Sequence, residues 1–188
     1  MTLYRCFAWN ERARQNEPDG PLWFPRPFQG DGRHDNPDVF GCLYLAEQPV
    51  SCVVEQLGRF RGQTLQPSFL LRRGLPLALG ALELVDTATL IDLDDPATLR
   101  RTQLRPSLVA TRRPEITQSH ARTLHQRYPA TAGLRCWSTY EALWINTTLF
   151  DRAAPHLRLT SIRALTIDDG IVAEAVQVLD MQSTARAQ

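Results

Sequence analysis

Lysine is absent from this chain: all 21 of its basic side chains are arginine. That removes Schiff-base chemistry and the phosphate-binding lysine of P-loop enzymes from consideration. Neither sign of charge dominates. The 20 acidic residues nearly balance the arginines, and a formal net charge of +1 creates no long-range pull toward nucleic acid or an anionic membrane. No apolar run approaches the roughly 18 residues that a membrane span needs; the longest, LPLALGALELV, carries Glu83. The start, MTLYRCFAWNERAR, lacks the basic-then-apolar order of a secretory signal. Cysteine is sparse. Cys6, Cys42, Cys52 and Cys136 lie in apolar settings without C-x-x-C spacing, which predicts reduced core thiols and a cytoplasmic protein.

Common catalytic signatures are missing as well. There is no G-x-S-x-G, H-E-x-x-H, Walker A or G-x-G-x-x-G, and His120 and His125 are spaced for different helix faces, so no metal site is expected. The arginine doublets 72–73, 100–101 and 112–113 lack interleaved aromatics and read as solvated element ends, not as a nucleic-acid surface.

What is present suits one compact domain. The 188 residues are 43% hydrophobic, enough for a real core. LYRCFAW (3–9) reads as a first strand and CLYLA (42–46) as a second, with Pro49 opening a helix where its missing N–H costs nothing. Between them lies a long loop rich in Pro, Gly, Asp and Asn, whose Trp23, Phe24 and Phe28 predict that it is packed. Further strands are expected at SFLLRR, LALGALELV, TLIDL, GLRCWSTY and LRLTSIRALTI, and helices at PATLRR and PEITQSHARTLHQRY. ALWINTTLF and DGIVAEAVQVLD fit strand or helix equally, and the last residues read as a flexible tail. Strands and helices alternate without a βαβ rhythm. The expectation is α+β, with a mixed or largely antiparallel sheet flanked by helices.

In the helix from Pro49, Val50, Val53, Val54 and Leu57 make a core-facing stripe, and Glu55 falls off it. The ordinary reading is a solvated acid paired with Arg59 at i, i+4, worth about 0.2–0.5 kcal/mol. Cys52 and Gly58 flank that acid, however, and both are poor choices for an open helical surface. They suit a face closely approached by other chain or by a ligand.

Arg5 in YRCF, Arg33 in DGRHDN, Tyr44 in the YLA strand end, Glu55 in the VE of the helix and Ser138 in LRCWSTY come in an order that resembles the RES domain, named for arginine, glutamate and serine. The likeness runs from about residue 3 to residue 165. It implies an ADP-ribosyltransferase-like fold and the toxin role of a bacterial toxin–antitoxin pair, with NAD+ as consumed substrate and no other cofactor. The implied chemistry is cleavage of the nicotinamide–ribose bond, by water or by phosphate. Arg5, Glu55 and Ser138 are then the expected catalytic residues, and Arg33 and Tyr44 the expected substrate-binding ones. Glu55 would stabilise an oxocarbenium-like transition state, and Arg5 and Arg33 would grip the pyrophosphate. Tyr44 would meet the nicotinamide end, and Ser138 a ribose or phosphate oxygen. The resemblance also implies a small helix-turn-helix (Xre-like) antitoxin as partner, and it is compatible with a homodimer. A catalytically silent binding domain and a protein ADP-ribosyltransferase are the alternative readings. The sequence departs from the family's G-G-R-W-N at Asp31–Asn36, leaving His34, Trp23 or Phe28 to stand in for the aromatic ring.

Overall fold

The computed structural model describes residues 1–182. Eight strands, β1 (Thr2–Ala8), β2 (Cys42–Ala46), β3 (Leu71–Arg72), β4 (Leu75–Leu84), β5 (Leu90–Asp92), β6 (Gly133–Trp137), β7 (Ile145–Phe150) and β8 (Leu157–Ala164), form one sheet. Its order is β3-β4-β1-β2-β7-β6-β5, with β8 also pairing β4, and only β5 and β6 run parallel. The helices are α1 (Pro49–Leu57), α2 (Pro96–Thr102), α3 (Pro106–Val109), α4 (Pro114–Arg127) and α5 (Gly170–Val178). Each of the first four opens with proline, whose ring presets φ where no intrahelical N–H is needed. The expected α+β class is the observed one. Among the described residues no helix is long and apolar enough to cross a membrane.

The sheet is nearly cut in two at its middle. β1 pairs with β4 along its whole length, whereas β1 and β2 share a single residue pair, Tyr4 with Ala46. Beyond it the strands diverge, and the long loop enters the gap: the Gln29 side-chain amide both donates to the Cys42 carbonyl and accepts from its N–H, acting as a strand partner would. A cleft opens over this split.

Each half of the sheet carries its own cover. α1 packs against α5, with Val53, Val54 and Leu57 meeting Val172, Ala175, Val176 and Leu179 in one buried cluster. α4 covers the other half, where Ala121 and Leu124 join Phe40, Leu134 and Phe150. The segment DGIVAEAVQVLD, open between strand and helix, is α5, since its apolar residues fall at 172, 175, 176 and 179 and bury one face. ALWINTTLF supplies β7, whose β-branched Ile145, Thr147 and Thr148 are buried in the sheet.

One expected strand is mostly something else. SFLLRR contributes a 3-10 turn, Pro67–Leu70, and only two residues of β3. The reason is the hairpin that follows: Arg73 (φ 52°) and Gly74 (φ 76°) are both left-handed, forming the tight two-residue turn that sets β3 on β4 with Arg72 opposite Leu75. The expected tail lies for the most part outside the described residues.

Candidate active site

Glu55 projects from α1 into the cleft. Its Oε1 accepts hydrogen bonds from the Ser138 hydroxyl at 3.1 Å and from Asn146 Nδ2 at 2.9 Å, and Oε2 has no hydrogen-bond partner among the described residues. No ion pair with Arg59 forms. The flanking residues explain themselves. Cys52 is buried and its thiol donates to the Tyr4 carbonyl, tying α1 to β1. Gly58 has ordinary helical angles (φ −55°, ψ −28°), yet a Cβ there would lie 1.9 Å from the Tyr140 hydroxyl, so the glycine admits a neighbouring ring, not an unusual backbone.

Ser138 stands where β6 ends. Its N–H donates to the Trp144 carbonyl, and its Oγ accepts from the Tyr140 N–H while donating to Glu55, so the corner 138–144 is folded around this one hydroxyl. Asn146, on the adjacent β7, accepts from Ser51 on α1 through its Oδ1. Helix and sheet thus fix the carboxylate from two directions.

The arginine loop is built around an acid. Buried Asp35 accepts from the N–H groups of Gly30 and Gly32 and, at 2.6 Å, from the Tyr44 hydroxyl, which itself accepts from the His34 N–H. A Cβ at Gly32 would come within 2.6 Å of both the Tyr44 hydroxyl and Asp35, so only glycine fits. From α4, Gln118 donates to the carbonyls of Gly30 and Gly32, and Arg122 donates to Asn36 and Asp38. Tyr44 is anchored at its hydroxyl end but 39% exposed, so its ring face is open to the cleft. Burial and the adjacent Asp35 push its phenol far above the usual range. His34, next to Arg33 in the loop, is buried, with Nδ1 bonded to Thr148 Oγ1 at 2.7 Å; burial pulls its imidazole down to about 3. Its ring lies roughly parallel to that of Tyr44, centroids 6.5 Å apart, and its backbone N–H makes the contact, to the Tyr44 hydroxyl.

Arg33 donates to the Val109 carbonyl at the end of α3, and its Nε is buried without an acceptor among the described residues. Arg5 behaves differently from what the resemblance implies. Its guanidinium is buried and donates to the loop carbonyls of Gly20, Pro21 and Trp23 at 3.4, 2.5 and 3.1 Å, lying over the Phe7 ring. Burial lowers it to about 9, still a cation at neutral pH. These donors hold the loop, which is a positioning role. The thiols of Cys6, Cys52 and Cys136 face the cleft, but burial raises all of them, Cys6 to about 12, so none is an activated nucleophile.

Three adjoining compartments make up the cleft. The first, about 240 Å³, is bounded by Phe7, Trp23, Phe28 and Tyr44. The second, about 340 Å³, lies over Tyr44, Arg33 and Glu55. The third, about 360 Å³, shares Arg33 and Glu55 with the second and adds Arg61, Arg112 and Tyr140. Of the five residues singled out from sequence, Arg33, Tyr44 and Glu55 line the second compartment, Ser138 bonds to Glu55, and Arg5 lines the first. Asp35, Asn146 and Gln118 were not anticipated. Asn146 alone carried a signal, as an isolated amide in a strand otherwise apolar or β-branched.

The family model of the RES domain matches residues 2–169. Among curated proteins no similar sequence is found. Among solved structures, the Mycobacterium tuberculosis MbcT–MbcA toxin–antitoxin complex contains a chain of the same fold, at TM-score 0.62 and 17% identity over 96% of this chain and 89% of that one.

Proposed function

This chain belongs to the RES domain family, and from that membership together with the cleft we propose that it cleaves the nicotinamide–ribose bond of NAD+ as the toxin of a toxin–antitoxin pair. The observation that carries the reading is Glu55: one carboxylate oxygen is held by Ser138 and Asn146, and the other, without a partner among the described residues, lies at the wall shared by two compartments. A fixed carboxylate with one unengaged oxygen suits a reaction in which positive charge appears on a sugar.

In that reaction the C1′–N bond breaks with its electron pair going to nicotinamide, which leaves neutral. Charge spreads over C1′ and the ring oxygen. Glu55, pre-positioned and needing no rearrangement, stabilises it or binds the neighbouring hydroxyl. Water then adds to C1′ and releases a proton, giving ADP-ribose, or phosphate adds and gives the 1-phosphate. The open ring face of Tyr44 offers the pyridinium a stacking partner, stronger for a cation than for the departing neutral base. Asp35 and His34 keep that ring in place.

The toxin assignment draws support from family membership and from the neighbour's occurrence in a toxin–antitoxin complex. It implies a small helix-turn-helix antitoxin that covers the cleft. Induced expression in a bacterial host tests the proposal. The cellular NAD+ pool should collapse and growth stop, while Glu55→Gln leaves both intact; growth arrest with an unchanged NAD+ pool would overturn it. Radiolabel from NAD+ appearing on protein would point to ADP-ribosyl transfer instead, and omitting phosphate from a purified reaction separates the two acceptors.

A further inference from the structure

Two arginines outside the family pattern face Glu55 across the third compartment. Arg61 follows the 3-10 extension of α1, and Arg112 lies between α3 and α4. Neither side chain has a hydrogen-bond or carboxylate partner among the described residues, so both are available to an anion in that compartment. The third guanidinium of the compartment, Arg33, is pinned by Val109 and keeps its buried Nε without an acceptor. The Tyr140 hydroxyl, over Gly58, likewise makes no hydrogen bond among the described residues and lies within the electrostatic reach of Glu55, Arg61 and Arg112.

We infer that Arg61 and Arg112 join Arg33, which the family resemblance already assigns to the pyrophosphate, in a subsite for the diphosphate of the dinucleotide, which directs the nicotinamide end toward Tyr44 and the first compartment. Guanidinium groups on three separate segments present planar donor pairs to phosphate oxygens, and the buried Nε of Arg33 gains the acceptor it lacks. Asp31 and Glu55 share the compartment, so it is not uniformly cationic, but its arginines outnumber its acids.

The first compartment is unsuited to a diphosphate. Its Arg73 pairs with Asp19, its Arg5 donates to carbonyls, its Arg72 donates to Gln56, and Asp19, Asp31 and Asp35 line it as well, so its charges balance. Aromatic walls beside carboxylates favour a flat cation, which is what nicotinamide is while attached. With the two ends so placed, the scissile bond crosses the second compartment between Tyr44 and Glu55.

The identity of the dinucleotide rests on the proposed function; the anion subsite rests on the arginines. Calorimetry of the full chain with ADP-ribose tests it directly. Replacing Arg61 and Arg112 together by glutamine should weaken ADP-ribose at least tenfold and flatten the salt dependence of binding, with nicotinamide binding unchanged, and the paired lysine substitutions should restore part of the affinity. Both residues are exposed, so thermal melting should report an intact fold. Affinity within twofold of the parent, or no ADP-ribose binding by the parent at millimolar concentration, overturns the subsite. NAD+ turnover measured alongside separates the two readings. Turnover with an unaltered KM in the double variant sinks the subsite alone, and absent turnover with arginine-dependent ADP-ribose binding sinks the NAD+ reaction alone.

Discussion

Ser138 and Asn146 converge on a single oxygen of Glu55, from the end of β6 and from the start of β7. Ser138 is buried and Asn146 is braced by Ser51, so the carboxylate's orientation is dictated by the sheet and not by its own exposed side-chain rotamers. Such an arrangement places the second oxygen without reorganisation.

Ser138→Ala and Asn146→Ala should therefore act through Glu55. Each leaves one donor on Oε1, and each should lower kcat for NAD+ cleavage by only about threefold with little change in KM; the double variant should lose more than the product of the two and approach the loss seen on replacing Glu55 itself. Steady-state kinetics with the double-mutant cycle measures this, and full additivity would show that the two residues do not act on a common group. A rise in KM alone would assign Ser138 to substrate binding instead.

Gly58→Ala gives a stability test of the same corner. Alone it drives a methyl into the Tyr140 ring and should destabilise by about 1–3 kcal/mol. In a Tyr140→Ala background the sign should reverse, because at helical angles alanine stabilises by about 0.4–1 kcal/mol relative to glycine. Denaturant unfolding of the four proteins of this cycle reads both effects.

Arg5 provides a contrast between positioning and binding. Arg5→Lys replaces a fork that spans three carbonyls with a single ammonium, and Arg5→Ala strands those carbonyls; the latter should cost about 3 kcal/mol or more. Limited proteolysis should then cut the loop between residues 10 and 25 in the variants and spare the parent. Raised KM for NAD+ with unchanged loop protection and unchanged stability would place the Arg5 guanidinium on phosphate.

His34 makes stability fall in acid. Its native pKa, about 3, lies below the 6.5 of an exposed imidazole, so the unfolded chain binds the proton more readily. The stabilisation is complete above pH 6.5 and is lost progressively as pH falls toward 3, with a loss of about 2 kcal/mol at pH 5. His34→Asn removes this titration. Unfolding measured at pH 8 and pH 5 should show a smaller acid loss in the variant than in the parent, and equal losses would contradict the buried neutral imidazole.

The sequence made some of this visible and not the rest, for identifiable reasons. Pro49 and the valine stripe gave α1 its start and its buried face, and CLYLA gave β2 its limits, because both signals are local. The peculiarity of Cys52 and Gly58 beside Glu55 was legible as a close approach, though not that Tyr4 and Tyr140 make it. Arg5 was found but its partners were not: three carbonyls in a loop leave no trace in side-chain pattern. Asp35 and Gln118 act on backbone groups as well, and for that reason the clasp of the arginine loop was invisible. Arg112 read as part of a solvated element end, and Arg61 drew no reading at all, until the fold brought both opposite Arg33.

The central claim is that a fixed Glu55 carboxylate drives cleavage of the nicotinamide–ribose bond, and nicotinamide release from NAD+ by the purified full chain tests it most directly. The parent should liberate one nicotinamide for each NAD+ consumed, and Glu55→Gln, which keeps the shape and loses the charge, should be slower by about 10²-fold or more with an unchanged melting temperature. Release at the parent rate by Glu55→Gln, or none from the well-folded parent, would contradict it.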